Sequence, residues 1–172
     1  MTTRTWLLSD MLRVCPQTGR IVEKEASVRS IRECGRGLRL GSPRNAYVSF
    51  QIVVETELDQ EVSIELKAPL TPELYVEWFH RIGEGYIPDA LVPWGGGNCR
   101  NSPFLAPARM NRIPGQRYGA IWADLFVPED FPPGTHEWPL IVRIGEAEET
   151  HTLTLAVLRE IVPNEQTITA DL

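Results

Sequence analysis

The chain has 172 residues, of which 42% are hydrophobic and 23% charged, and its formal net charge is −6. This length and composition predict one globular domain, residues 1–172, that is large enough to bury a core without cross-links. The negative net charge argues against general nucleic-acid binding, which needs a basic surface to neutralise phosphates.

The start of the chain, MTTRTWLLSDML, has only a short apolar patch, which is interrupted by Ser9 and Asp10. This patch predicts neither a signal peptide nor a membrane span. The segment near Ser9 to Val14 is also the best helical candidate in the chain, although its apolar periodicity is poor. No stretch of twelve or more residues has the apolar stripe of an amphipathic helix.

Charge is unevenly distributed along the chain. Residues 1–44 carry nine Lys and Arg against four Asp and Glu, a net of +5, and the remainder carries eight against nineteen, a net of −11. Arginine recurs every three to five residues in the basic part, at Arg29, Arg32, Arg36, Arg39 and Arg44. Three interpretations stay open: a solvated face of a loop-rich segment, a site for a phosphate or an acidic partner, and contact with the acidic body of another copy in a homo-oligomer.

Short segments with strand character dominate the chain from residue 47 onwards. They are rich in β-branched and aromatic residues, and several alternate apolar with polar positions; they cover residues 47–55, 61–68, 74–82, 118–128, 138–145 and 150–161. Six or more strands separated by turn residues, without intervening helices, predict an all-β fold, an antiparallel β-sandwich of immunoglobulin-like or jelly-roll-like type. We find no internal repeat and no domain boundary.

The alternation predicts which side chains share a face. Val48, Phe50, Ile52 and Val54 are expected to point to one side, as are Val62, Ile64 and Leu66, and then Leu153, Leu155 and Val157. In residues 74–82, the alternation separates Tyr75, Glu77, Phe79 and Arg81 from Val76, Trp78, His80 and Ile82. Residues 118–128 are apolar at nearly every position, which is typical of a strand with both faces partly covered.

Residues 83–119 predict a long irregular excursion, because five prolines and a Gly95-Gly96-Gly97 run interrupt any periodicity. Ordered loops of this length usually have a function or contact a partner. The sequence WGGGNCR within it lacks the Lys-Ser/Thr ending and the following helix of a phosphate-binding loop. We expect the triple glycine to let the backbone pass close to Trp94 or to a neighbouring strand.

The stretch VPEDFPPGTHEW, residues 127–138, predicts a turn between two strands. Proline cannot donate to a strand ladder, so Pro132 and Pro133 end one strand, and Gly134 permits the reversal before the next. Cleavage of a glycosidic bond uses two carboxyl groups that flank the bond. The candidates for such a pair are the adjacent Glu129 and Asp130, and Glu84 with Asp89. An Asp at such a turn ordinarily bonds backbone N–H groups, which favours a structural role for the former pair.

The sequence predicts no catalytic and no metal-binding residue, and it implies no cofactor. His80, His136 and His151 are far apart, without the spacing that places two histidines on one metal, and no serine lies in a GxSxG motif. Cys15, Cys34 and Cys99 form no CxxC pair and are odd in number, which argues against a zinc site and a disulfide framework. One disulfide with a free thiol stays open.

Aromatic residues provide candidates for binding a sugar. A sandwich of this size needs aromatic core residues, and we assign Trp122 and Trp138 to packing. Trp94 and Tyr86 lie in the expected excursion and are the candidate ligand-binding residues, which would stack against a sugar.

Four segments resemble the N-terminal β-sandwich domain of glycoside hydrolase family 123 and its uncharacterised relatives. They are SPRNAYVSFQIVV (42–54), YIPDALVPW (86–94), PGQRYGAIWADLFVPEDFPPGTHEWPLIVRI (114–144) and LTLAVLREIVPNEQTITADL (153–172). The segments occur in the family's order over about residues 42–172. The resemblance implies a β-sandwich beside a (β/α)8 barrel in an enzyme that releases N-acetylgalactosamine. The family's catalytic Asp-Glu pair lies in the barrel, so it implies no catalytic residue in this chain.

The function that we expect is therefore that of a non-catalytic accessory domain, which supports a catalytic barrel or weakly binds carbohydrate. The alternative is a self-assembling structural or surface protein that forms homo-oligomers or filaments, in line with the charge distribution. The expected partners are a (β/α)8 domain or a carbohydrate, or other copies of the chain. We expect no nucleic-acid partner and no membrane span. The resemblance implies a secreted or cell-surface protein, and without it a cytoplasmic location is the alternative.

Overall fold

The structure, a computed structural model, describes residues 4–56, 60–94, 104–106 and 113–164. These residues form ten β-strands and one short 3-10 helix, Ile31–Glu33. The strands are β1 (Arg4–Ser9), β2 (Gly37–Arg44), β3 (Ala46–Glu55), β4 (Gln60–Leu66), β5 (Glu73–Ile82), β6 (Gly85–Pro93), β7 (Phe104–Ala106), β8 (Tyr118–Val127), β9 (Gly134–Ile144) and β10 (Ala147–Ile161). No helix in these ranges is long and apolar enough to cross a membrane.

The strands form two five-stranded sheets. The first sheet has the order β1-β3-β8-β5-β6 and the second the order β2-β10-β9-β4-β7. Neighbouring strands are antiparallel except β2 and β10, which run parallel. The architecture confirms the predicted all-β sandwich, and the parallel pair makes the second sheet mixed, which the strand periodicity did not predict.

The main core lies between the two sheets. It contains the alternate residues predicted from β3, β4 and β10, together with inward residues of β8 and β9; its most buried members include Phe50, Ile52, Val62, Ile121, Leu125, Leu140, Leu153 and Leu155. The predicted face assignments for these strands are therefore confirmed. Period-two alternation locates this core because every second side chain of each strand points between the sheets.

The stretch 127–138 is a turn, as predicted, but it connects the two sheets. β8 ends at Val127 in the first sheet, and β9 begins at Gly134 in the second. Gly134 has a φ of +135°, which a residue with a Cβ rarely adopts. Glu129 and Asp130 are exposed at this turn.

The weak helical candidate near Ser9 to Val14 forms no helix: β1 ends at Ser9, a turn follows, and Val14 makes an isolated bridge with Ile21. The prediction of an irregular excursion over 83–119 is wrong where these residues form strand β6, strand β7 and the start of β8. Strand β6 was missed because Pro88 and Pro93 are not expected in a strand. They are tolerated because β6 is an edge strand, and Pro88 lies beside a register shift opposite Trp78 and Phe79. Residues 95–97 and Cys99 lie outside the described ranges.

The outer faces of the two sheets differ in character. On the second sheet, Arg143 makes ion pairs with Glu65 and Glu148 at the surface. On the first sheet, apolar and aromatic residues continue outward and form a second cluster, Trp6, Leu8, Val53, Phe79, Tyr118 and Ala120, under a covering segment. The first sheet is therefore the one whose outer face packs against further parts of the chain.

Candidate functional site

The covering segment, residues 10–36, lies over part of the outer face of the first sheet. Its buried residues Val14 and Ile31 pack on the outer cluster, and Ile113 joins them from the opposite end. The cover is incomplete. Beyond it, Tyr47 and Phe126 are exposed and their rings contact each other with centroids 5.0 Å apart. The outer face is thus divided into a covered part and an open part.

Gln51 of β3 holds the edge of the covering segment. Its Nε2 donates to the carbonyl oxygens of Ser9 (3.1 Å), Asp10 (3.4 Å) and Leu12 (2.6 Å). These bonds fix the amide orientation, because only the NH₂ group donates. The side chain is 1% exposed, and its Oε1 has no hydrogen-bond partner among the described residues.

An open cavity of ≈ 220 Å³ lies where the covering segment stops. Its lining comes from that segment and from β3, β5, β6 and β8: Asp10, Arg13, Gln51, Glu77, Pro88, Asp89, Leu91 and Trp122. The volume is below the roughly 300–1,000 Å³ of pockets for drug-sized ligands. It suits one small polar group or one sugar ring.

Glu77 of β5 is the most unusual residue of this cavity. It is only 4% exposed, and neither side-chain oxygen has a hydrogen-bond partner within the described ranges. Burial disfavours the charged carboxylate and raises the pKa of Glu77 to about 7. Buried polar groups in folded proteins are nearly always hydrogen-bonded, so an orphaned carboxyl at a cavity indicates a place for a ligand or water.

Trp122 of β8 supplies a fixed aromatic surface at the same cavity. It is half-buried, and its Nε1 donates to Asp124 Oδ1 at 2.6 Å, which also accepts from Ser49 Oγ at 2.6 Å. In the strand register Trp122 lies between Gln51 of β3 and Tyr75 of β5. The assignment of Trp122 to core packing is therefore wrong: its ring lies on the outer face, outside the core between the sheets.

Combined, these residues can bind a polar ligand. The unsatisfied atoms, two carboxyl oxygens and one amide oxygen, are hydrogen-bond acceptors, and the indole offers an apolar face. Among the residues that the structure describes, no Ser, Cys or His lines the cavity. Among the described residues, no group of three or more His, Cys, Asp and Glu could hold a metal ion.

The two residues predicted to bind a ligand lie on different sides of the first sheet. Trp94, after β6, packs against the core between the sheets, and its backbone N–H donates to the backbone oxygen of Leu74 at 2.9 Å. Tyr86 packs against the outer cluster and is half-buried. The structure does not bring them into one surface, and their role in binding stays a prediction.

The candidate carboxylate pairs are also separated or remote from the cavity. Glu84 is exposed in the turn between β5 and β6, while Asp89 lines the cavity with Glu77 and Asp10. Glu129 and Asp130 are at the turn that connects the sheets. The available sequence clue was the mid-strand position of the polar residues Gln51 and Glu77: Gln51 lies among apolar residues 50–54, and Glu77 lies between Tyr75 and Phe79 on its strand face.

The basic N-terminal part contacts the acidic remainder of its own chain. Arg32 pairs with the buried Glu55, and Arg36 pairs with Glu149. Arg13 pairs within the N-terminal part, with Glu23. Arg44 donates to the carbonyl oxygens of Glu129 and Arg159. Intramolecular contacts thus account for part of the charge pattern, an arrangement that none of the three sequence-based interpretations included.

The histidines occupy separate places. His80 is exposed, and His136 stacks on Trp138 with ring centroids 5.5 Å apart. His151 is buried, with Nε2 at 2.6 Å from Thr5 Oγ1, and burial lowers its pKa. Cys15 and Cys34 are free thiols. Trp138 packs against the main core, as predicted.

Comparison with known proteins gives a fold likeness only. No protein-family model and no curated protein matches the chain. The chain is similar to a family 123 glycoside hydrolase from Clostridium perfringens, with a TM-score of 0.62 and 10% identity over 94% of this chain. It spans 28% of that hydrolase chain. At this identity the likeness supports a shared β-sandwich fold with one part of that enzyme.

Two further solved structures are more distant. The CooA pilin subunit of enterotoxigenic Escherichia coli matches with a TM-score of 0.41, 10% identity, and coverage of 92% of this chain and 99% of the pilin. The ASH/PapD-like domain 7 of human CEP192 matches with a TM-score of 0.32, 11% identity, and coverage of 76% and 84%. With TM-scores below 0.5, neither carries an argument about this chain.

Proposed function

We propose that the chain is a non-catalytic accessory β-sandwich domain of a glycoside-hydrolase-like protein, and that its outer-face cavity weakly binds carbohydrate. The observation that carries the binding proposal is the cavity itself. It is lined by Trp122, whose indole is fixed by Asp124, and by Glu77 and Gln51, which have side-chain oxygens without a hydrogen-bond partner among the described residues. The fold likeness to part of a family 123 glycoside hydrolase supports the accessory context.

Sugar chemistry suits this arrangement. A pyranose ring has an apolar face that packs on an aromatic ring, and its hydroxyl groups donate hydrogen bonds to acceptors that lack another partner. At the cavity, Trp122 offers the ring face, and Glu77 and Gln51 offer the acceptors. The contact area of one sugar ring is small, which favours weak binding.

A glycan screen with two single-residue variants tests the binding site. We expect Trp122→Ala to abolish the binding signal and Tyr47→Ala, an exposed aromatic of the same face outside the cavity, to retain it. Loss of the signal in Trp94→Ala but not in Trp122→Ala would instead support the ligand-binding role predicted for Trp94. Absence of binding in the wild-type chain would overturn the proposal.

The non-catalytic part has its own test. Chromogenic glycosides of the sugars that bind should not be hydrolysed by the purified chain. A raised pKa at Glu77 beside the carboxyl of Asp89 has features of the acid and base of glycosidases, so hydrolysis that disappears in Glu77→Gln would contradict this part.

The supporting role for a catalytic barrel makes a genetic prediction. The coding sequence that follows residue 172 should encode a (β/α)8 domain with an Asp-Glu pair. Co-expression of the two parts should then give a stable complex. A stop codon directly after residue 172, with no barrel encoded nearby, would count against the accessory role.

Self-association is the second proposal, and the exposed Tyr47–Phe126 pair favours it. Against sheet extension, edge strands β6 and β2 carry Pro88, Pro93 and Pro43, which interrupt strand pairing. Light scattering at micromolar concentration should give the mass of a large particle that persists as salt rises, because salt screens charges and does not weaken apolar contacts. A mass that decreases with salt would instead indicate contact between the basic part of one copy and the acidic part of another. A monodisperse monomer at low salt would overturn this second proposal.

A further inference from the structure

We propose that the cavity selects sugars with a free amino group, and that Glu77 and Trp122 bind the ammonium; this inference rests on the proposed sugar-binding function. The selectivity follows from three features of the cavity: the type of its unsatisfied atoms, the sign of its charges and the orientation of its aromatic ring.

Among the described residues at the cavity, all the unsatisfied atoms are acceptors when Glu77 is ionised. They are Oε1 and Oε2 of Glu77 and Oε1 of Gln51, in side chains that are 4% and 1% exposed. An ammonium group supplies three donors and no acceptor, whereas each sugar hydroxyl supplies one donor together with acceptor lone pairs. A ligand that brings an ammonium therefore matches this set better than a hydroxyl alone.

The described part of the lining is also predominantly acidic. There, Asp10, Glu77 and Asp89 provide three carboxyl groups against one cation, Arg13. Arg13 is engaged elsewhere, since its Nε lies 2.5 Å from Glu23 Oε1 and its backbone N–H donates to Glu23 Oε2 at 2.8 Å. The charge of Arg13 is thus offset by Glu23, and a bound cation would meet a negative potential.

Trp122 adds a cation–π contact. Cations bind over the face of an indole more strongly than over other aromatic rings. The hydrogen bond from Nε1 of Trp122 to Asp124 fixes the ring and places a carboxylate at its edge. The arrangement lets one ligand place its ammonium between the ring and Glu77 while the sugar ring covers the remaining apolar surface.

Binding should depend on pH through Glu77. The charged groups that line the cavity around it are Asp10 and Arg13 from the covering segment and Asp89 from β6. Because burial raises the pKa of Glu77 to about 7, its carboxyl is half ionised at pH 7 and about 1% ionised at pH 5. If the ammonium requires the carboxylate, affinity should rise about fiftyfold between pH 5 and pH 7.

The experiment is calorimetric titration of the full chain with glucosamine, N-acetylglucosamine and ethanolamine at pH 5, 6 and 7. The variants are Glu77→Gln and, as a matched control, Glu73→Gln, an exposed carboxylate of the same strand. We expect glucosamine to bind at least tenfold more tightly than both other probes at pH 7. Glu77→Gln should remove this preference and the pH dependence, and Glu73→Gln should preserve both.

The outcomes separate the two proposals. Equal affinity for glucosamine and N-acetylglucosamine would overturn the selectivity and leave sugar binding standing. Equal affinity for glucosamine and ethanolamine would show cation binding without sugar recognition and overturn both proposals, as would absence of binding by every probe. A preference for glucosamine that survives in Glu77→Gln would overturn the role assigned to Glu77.

Discussion

The outer face of the first sheet buries two carboxyl groups in contrasting surroundings. Glu55 of β3 is 2% exposed and accepts from Arg32 Nη2 at 2.6 Å, Arg117 Nη2 at 3.2 Å and the Tyr118 hydroxyl at 3.0 Å. Glu77 of β5 is 4% exposed and has no such partner among the described residues. The covering segment brings Arg32 to the former and stops short of the latter. Equal burial therefore has different meanings: Glu55 is part of the packing of the cover, and Glu77 lines a cavity without a hydrogen-bond partner in the part of the chain that the structure describes.

Breaking the contacts of Glu55 should give the largest effect. In the double variant Arg32→Ala/Arg117→Ala, the buried carboxylate keeps only the Tyr118 hydroxyl among the partners named above, and we expect the free energy of unfolding to fall by about 3–5 kcal/mol. Urea denaturation at pH 7 measures this loss of stability. The control Arg20→Ala/Arg39→Ala removes two exposed arginines and should change stability by less than about 1 kcal/mol. An unchanged urea midpoint in the first variant would show that these arginines do not hold Glu55.

The unpartnered Glu77 should make stability fall as pH rises. Its folded-state pKa of about 7 exceeds the ordinary 4.5, so the folded state binds the proton more tightly than the unfolded state. The associated stability is fully present below pH 4.5 and is lost as pH rises through 7, by about 3 kcal/mol in total.

Comparison of the wild type with Glu77→Gln between pH 4 and pH 8 isolates this contribution, because other titrating groups are shared. The wild type should lose about 3 kcal/mol relative to the variant over that range, as measured by urea denaturation at each pH. Parallel pH profiles for the two proteins would contradict the assignment. Glu73→Gln should leave the profile unchanged.

Gln51 lies where the covered part of the outer face meets the open part, and its replacement should destabilise the covering segment without affecting the rest of the sandwich. Gln51→Met removes the donor to three carbonyl oxygens of residues 9–12, with an expected loss of about 1–3 kcal/mol. Hydrogen exchange should accelerate in the covering segment and remain unchanged in the β9–β10 hairpin. Equal acceleration in both would indicate global destabilisation and contradict a local anchoring role.

The smallest effect is expected at the open end of the face. Phe126→Ser removes one ring of the exposed Tyr47–Phe126 pair, and such pairs are worth about 0.5–1.5 kcal/mol. Thermal or urea denaturation should show a loss within this range, and sugar affinity should be unchanged. A marked drop in affinity would move the binding surface from the cavity to this end of the sheet.

Much of the sandwich was predictable from alternation along single strands. Phe50, Ile52 and Val54 were assigned to one face correctly, because a strand with one side in the main core repeats every two residues. Strand β6 was missed because its prolines conceal the pattern at a sheet edge. The parallel pairing of β2 with β10 was missed because local periodicity contains no information on which strands become neighbours.

Little of the candidate site could be predicted from the sequence. Glu77 was assigned to the same face as Tyr75 and Phe79, but its burial depends on the covering segment, which contacts the sheet only in the folded chain. Trp122 was assigned to packing because, in a strand that is apolar at nearly every position, the sequence does not indicate which face of the sheet an aromatic side chain occupies. Which face is covered is decided by tertiary contacts between residues 10–36 and the first sheet.

The central claim is that the cavity beside Trp122 and Glu77 binds a sugar. Its most direct test is the indole N–H signal of Trp122 in two-dimensional NMR during titration with the sugar that binds best. We predict that this signal shifts in a saturable way while those of Trp6 and Trp138, which pack in the two clusters, stay in place. A saturable shift at Trp94 with Trp122 unmoved, or no indole shift at saturating sugar, would contradict the claim.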